Sequence, residues 1–228
     1  MHGGNIYKFA QQLGCEPDHI LDFSANINPL QAVDWRELSF NLTPYAEPSY
    51  HDLKQVLKQR YALHHEIELF NGASAAIFAL LRYLNARDVV LYAPLYNEYS
   101  RLADTLGCQL HVINRLTNEN QTIPEHSTVI FVNPATPDGT LYDLKALLNE
   151  WQNKHCHVIV DESFLDFTDV PSVITQSDYE RLYLIKSLSK FYGCAGVRVG
   201  FIAGQKTFIE HLRRLEPAWK LSSFDMAY

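Results

Sequence analysis

The chain has 228 residues, 47% of them hydrophobic and 20% charged, which suffices for one substantial core with at most a small appendage. A net charge of −7 argues against nucleic acid or an anionic membrane as partner, yet leaves room for a small anionic ligand in a local basic pocket. No apolar run reaches membrane-spanning length, no signal-peptide core follows Met1, and Cys15, Cys108, Cys156 and Cys194 form no CxxC pair, so the expectation is a cytoplasmic protein with reduced thiols and no metal site.

A short helix is expected before Gly14, a residue suited to a helix stop. LDFSANINPL then alternates polar Asp22, Ser24, Asn26 and Asn28 with apolar residues and ends at Pro29, which fits a short edge strand or an extended arm. Leu53, Val56, Leu57 and Tyr61 recur at helical spacing behind Ser49. In FNGASAAIFALLRYL, Ile77, Leu80, Leu81 and Leu84 share one helical face, and Gly72-Ala73-Ser74 opens the helix. Free backbone N–H groups and the positive end of the helix dipole make such a start a potential anion site. VVLYAP predicts a buried strand, LYNEYSRLADTLG a helix, and QLHVIN and TVIFVN two more strands. A turn through Pro134, Pro137 and Gly139 precedes a helix with Leu144, Leu147, Leu148 and Trp151 inward. GFIAG reads as a last strand, and Ile209, Leu212 and Leu215 as a last helix. The alternation predicts an α/β fold: a mostly parallel sheet with helices on both faces.

Val158 to Phe201 carries the chemistry. One apolar run ends in Asp161, and a second, Leu182 to Ile185, ends in Ser187, Ser189 and Lys190, with Arg198 following between glycines. Read as buried strands, these runs deliver an acid and an amine to the carboxyl edge of the sheet, where open α/β sheets bind ligands. A lysine can form a Schiff base with pyridoxal phosphate, and a carboxylate can keep its pyridine nitrogen protonated. Ser187, Ser189 and Arg198 are the side-chain types a phosphate tail requires. Taken singly, each residue is an ordinary strand end; their combination points to the cofactor.

The stretch DESF, SLSK and Arg198 resembles the fold-type I pyridoxal-phosphate enzymes of the class I and II aminotransferase superfamily, and within it the threonine-phosphate decarboxylase and histidinol-phosphate aminotransferase groups. The resemblance implies roles residue by residue. Lys190 and Asp161 are the catalytic pair. Ala73 and Ser74, with Ser187, Ser189 and Arg198, hold the cofactor phosphate. Tyr99 stacks on the pyridine ring, with Tyr96 as its rival. Tyr45, in a partial match to a YPD turn, reaches a neighbouring subunit's phosphate, or else is a structural aromatic. Thr136 stands where the family's NPNNPTG motif has the asparagine that bonds the phenolic oxygen, and Phe164 replaces a tyrosine with the same task. His2 and Asn26, in HGGN and LDFSANINPL, bind the substrate's own phosphate.

The same resemblance implies a homodimer and three segments: residues 1–44 as arm and substrate-binding segment, 45–216 as the cofactor-binding large domain, and 217–228 as the start of a linker helix to a small domain expected to be lacking. The implied activity is decarboxylation of O-phospho-L-threonine in cobalamin biosynthesis. The alternatives are an aminotransferase of the histidinol-phosphate type and a catalytically inactive chain that retains the fold.

Overall fold

The computed structural model describes residues 3–31, 33–117 and 121–228. The chain runs through α1 (Ile6–Leu13), α2 (His51–Arg60), β1 (Glu66–Asn71), α3 (Gly72–Leu84), β2 (Asp88–Ala93), α4 (Glu98–Thr105), β3 (Gln109–Asn114), β4 (Thr128–Val132), α5 (Lys145–Asn153), β5 (His157–Asp161), β6 (Leu182–Ser187), β7 (Val199–Gly204), α6 (Lys206–Leu215) and α7 (Ser223–Ala227). Among the described residues one seven-stranded sheet forms, in the order β1-β7-β6-β5-β4-β2-β3. β7 pairs antiparallel with β1 and β6, and the remaining pairs are parallel.

Successive residues of a strand face opposite sides of a sheet, so a strand buried on both faces must be apolar throughout. Residues 129–132 of β4 and 158–160 of β5 meet that demand, and they divide between two cores. Val129, Phe131, Val158 and Val160 pack with Leu57 of α2 and Leu147, Leu148 and Trp151 of α5. Ile130, Val132 and Ile159 pack with Ile77 and Leu80 of α3, Leu102 of α4 and Leu212 of α6. Helices therefore cover both faces, as the sequence pattern predicts.

β1 is a strand the periodicity did not reveal, because EIELFN mixes two glutamates with its apolar residues. Glu68 is nevertheless buried there. Its carboxylate accepts from Lys54 Nζ of α2 at 2.9 Å, Arg213 Nε of α6 at 2.6 Å and Lys220 Nζ at 2.5 Å. Burial raises the Glu68 carboxyl, but Lys220, Arg213 and Lys54 outweigh it and hold the group below its ordinary range.

Two further segments frame the sheet. LDFSANINPL forms no strand and runs as an irregular arm, the second of the two forms its pattern allows. The arm is anchored at Asn28, whose backbone N donates to the Lys190 carbonyl at 2.9 Å and whose Nδ2 donates to the Phe191 carbonyl at 2.8 Å. Gly193, with φ +64°, allows this approach, since a Cβ there would stand 2.8 Å from the carbonyl oxygens of Asn28 and Leu30. At the other end of the chain, Glu216 is extended after α6, and helical geometry resumes at α7, opened by a capping box between Ser222 and Asp225.

Candidate active site

At the carboxyl ends of β4, β5 and β6 lies a cavity of about 560 Å³. It brings together Asn26, Ala73, Ser74, Thr136, Asp161, Ser187, Ser189, Lys190 and Arg198 from positions spread along most of the chain. Phe164, Tyr96 and Gly3 also face it.

Asp161 is the last residue of β5 and lies in register with Val132 of β4 and Ile185 of β6. Its Oδ1 accepts from the backbone N of Ser163 at 2.9 Å and from Ser163 Oγ at 2.6 Å. Its Oδ2 accepts from Tyr99 Oη at 2.8 Å. Burial raises the Asp161 carboxyl, while the bonds from Ser163 and Tyr99 and the charge of Lys186 oppose that rise. A buried, oriented carboxylate of this kind gains from a cation placed opposite it, and a protonated ring nitrogen supplies one.

Lys190 follows β6 in a turn closed by Cys194 N, which donates to the Ser189 carbonyl at 3.2 Å. Among the described residues no hydrogen bond or ion pair engages its Nζ. Burial and the Arg198 charge depress the ammonium, and Asp161 opposes them. A depressed amine is the form that attacks a carbonyl near neutral pH. Lys186, four positions earlier in sequence, is oriented otherwise: its Nζ is paired to Asp166 at 3.0 Å and stands 4.3 Å from the Tyr61 ring centre.

The anion end is built by close backbone approach. Arg198 Nη1 donates to Ser189 Oγ at 3.2 Å and to the Ala195 carbonyl at 2.9 Å. Gly72 starts α3 at φ +77°, and a Cβ there would lie 2.2 Å from Arg198 Nη2. Gly200 of β7 admits the same helix start, since its Cβ would lie 2.5 Å from the backbone N of Ala73. No side chain caps α3; the Gly72 N–H donates to the Arg198 carbonyl at 3.0 Å, which leaves the N–H groups of Ala73 and Ser74 for a ligand. Ser74 Oγ lies 3.4 Å from Tyr96 Oη across the cavity.

Tyr99 requires a correction. It is fully buried behind Asp161 and is absent from the cavity wall, whereas its rival Tyr96 lines that wall. The reason is helical register: α4 begins at Glu98, which turns Tyr99 into the core with Leu102 and Ala103 and leaves Tyr96 on the preceding loop. Tyr45 is also outside the cavity, exposed and stacked on Trp219 at 4.7 Å between ring centres. His2 lies outside the described residues. Asn133 serves its turn: Nδ2 donates to the Tyr142 carbonyl at 3.0 Å, and Oδ1 accepts from Tyr142 N at 2.9 Å. Ser163, which orients Asp161, was not singled out from the sequence, although a serine two residues after a buried aspartate is an Asx-turn signal.

This fold and this cavity define a class: an α/β protein that presents an amine and a carboxylate beside an arginine-and-serine cup at a helix start. The chain belongs to the aminotransferase class I and II family, whose model matches residues 21–225. It is 29% identical over 247 residues to threonine-phosphate decarboxylase of Salmonella typhimurium, covering 97% of this chain and 67% of that protein. It is 28% identical over 244 residues to the adenosylcobalamin biosynthesis bifunctional protein CobDQ of Leptospira interrogans, covering 97% of this chain and 28% of that one. The solved structure of histidinol-phosphate aminotransferase from Sinorhizobium meliloti, in complex with pyridoxal-5'-phosphate, shares the fold with a TM-score of 0.67 at 18% identity, over 82% of this chain and 55% of that one. The chain thus spans about two thirds or less of the length of these proteins.

Proposed function

We propose that this chain binds pyridoxal phosphate and acts on a phosphorylated amino acid, as a decarboxylase of O-phospho-L-threonine. The observation that supports the cofactor is the shared cavity of Lys190 and Asp161, with the Gly72–Arg198 cup beside them. Bound there, pyridoxal phosphate supplies an electron sink for the pair released when a bond at the substrate α-carbon breaks.

The chain's own residues take the remaining tasks. Arg198, Ser189, Ser187 and the N–H groups of Ala73 and Ser74 would bind the phosphate. Asp161, fixed by Ser163 and Tyr99, would hold a proton at the ring nitrogen. Tyr96 would cover one ring face. Lys190 Nζ would hold the cofactor by its aldehyde carbon and, once displaced by the substrate amine, would be the acid placed to give the α-carbon a proton. Asn26 lines the cavity from the arm, where a substrate phosphate would be met, together with the His2 that precedes it in sequence.

The substrate class rests on the relatives' names and on this arm, and cobalamin biosynthesis on those names alone. A homodimer would give the exposed Tyr45 a second subunit's site to reach. The test is turnover of phosphothreonine by protein carrying bound cofactor. Release of carbon dioxide is expected. Keto-acid formation from an amino donor, without carbon dioxide, would replace this reading with the aminotransferase one.

A further inference from the structure

Arg115 has no part in the reading above, yet its surroundings are unusual for a residue at the end of an edge strand. Its side chain is 1% exposed. Nη2 donates to Asp138 Oδ1 at 2.8 Å and to the Thr136 carbonyl at 2.9 Å. Nη1 donates to Asp138 Oδ2 at 3.2 Å and to Tyr142 Oη at 3.2 Å. Asp138 Oδ2 in turn accepts from Thr140 Oγ1 at 2.6 Å. The loop is closed beneath by Ala135 N on the Thr140 carbonyl and Gly139 N on the Ala135 carbonyl, both at 2.8 Å. The guanidinium thus grips the 136–140 loop by one backbone carbonyl and both oxygens of one carboxylate, a planar arrangement that lysine cannot reproduce.

The gripped carbonyl belongs to Thr136, whose residue lines the active-site cavity. A threonine hydroxyl is short and rotates freely, so it holds a set place only if its backbone is held. We infer that Arg115 and Asp138 are positioning residues for the active site: their ion pair fixes the loop so that the Thr136 hydroxyl meets the ligand bound beside Lys190. The inference rests on the pyridoxal-phosphate reading. The Arg115 bonds and that of Thr140 hold the Asp138 carboxyl down to about 2, so the clamp stays ionised at every pH at which the site is assayed.

The experiment is a pH titration of the visible absorbance of lysine-bound pyridoxal phosphate, with the cofactor dissociation constant, for wild type, Thr136→Val, Arg115→Met, Asp138→Asn and the Arg115→Met/Thr136→Val double variant. Thr136→Val and Arg115→Met are each expected to move the midpoint in the same direction by roughly half a pH unit or more. Arg115→Met should also weaken cofactor binding about tenfold. In the double variant the midpoint should move no further than in Thr136→Val alone, because the clamp acts through that hydroxyl. Asp138→Asn keeps hydrogen-bonding capacity while losing the charge, and should give a smaller shift of the same sign even if Arg115→Met folds poorly. An unchanged midpoint in both clamp variants, or shifts that add in the double variant, overturns the inference and leaves the cofactor reading standing. A wild type that forms no visible band ends both.

Discussion

Lys186 and Lys190 both belong to IKSLSK, and only their surroundings separate them. Lys186 is buried on β6 with Asp166 as its counter-ion, while Lys190 lies beyond the strand in the cavity. The resemblance carried by SLSK selected Lys190, and the strand's end supplies the physical reason. Tyr99 was preferred to Tyr96 on resemblance, and the residues themselves could not check that choice, because it depends on where α4 starts and neither tyrosine announces that. Thr136 and Asn26 were singled out by resemblance alone, Thr136 as a departure from the family motif, and the serines and arginine of the anion cup by their side-chain types; the fold brings them to one cavity. Arg115 was not singled out, because its partners lie more than twenty residues further along the chain, in a turn that nothing near Arg115 announces.

Glu162, next to Asp161, shows how a buried acid writes itself into pH dependence. It is buried, with Oε1 accepting from Val173 N at 2.8 Å, and burial pushes its carboxyl up to about 7. An unfolded glutamate titrates at about 4.3. Between those values the folded chain keeps a proton that the unfolded chain has lost, so this group's contribution to stability falls as pH rises from about 4.3 through 7. Glu162→Gln keeps the acceptor without the charge. Urea unfolding at pH 5 and pH 8 should show the variant gaining roughly 2–4 kcal/mol on wild type at the higher pH. Parallel behaviour of the two proteins across that range would contradict this account.

At the scale of elements, the anion cup exists because α3 and β7 nearly touch. Gly200 faces the backbone of Gly72 and Ala73, and the neighbour that a new Cβ would meet is main chain, which cannot turn aside. Gly200→Ala should displace the start of α3, cost about 1–3 kcal/mol of stability and weaken pyridoxal phosphate binding more than it weakens folding. Calorimetric titration with the cofactor, beside a urea melt, measures both; an alanine variant with wild-type affinity would show that the helix start is not the phosphate site. Most elements were readable, because β4, β5 and β6 are apolar runs of strand length and α3, α5 and α6 carry clear apolar faces. β1 was the exception: its central glutamate breaks the pattern, and the reason for tolerating it lies in cations from three other segments.

For the molecule as a whole, that cluster ties together parts distant in sequence. Glu68 joins the first strand to α2, to α6 and to the segment ahead of α7, where the backbone N of Leu221 also donates to Tyr50 Oη at 3.1 Å. Removing the charge leaves three cations facing one another in a largely buried site. Glu68→Gln should therefore destabilise the protein by about 3–5 kcal/mol in urea unfolding at pH 7. Because the folded carboxyl lies below its unfolded value, the wild type should lose this contribution as pH falls below about 4.3, narrowing its difference from the variant. An equal difference at pH 7 and at pH 3 would contradict the assignment.

The central claim is that the amine of one residue meets a cofactor aldehyde in the cavity that Asp161 also faces. Adding pyridoxal phosphate, reducing with borohydride and mapping the modified peptide by mass spectrometry tests it most directly. The account predicts a visible absorbance band before reduction, a pyridoxyl label on Lys190, and loss of both in Lys190→Ala. A label on Lys186, or a band that survives in Lys190→Ala, would contradict it.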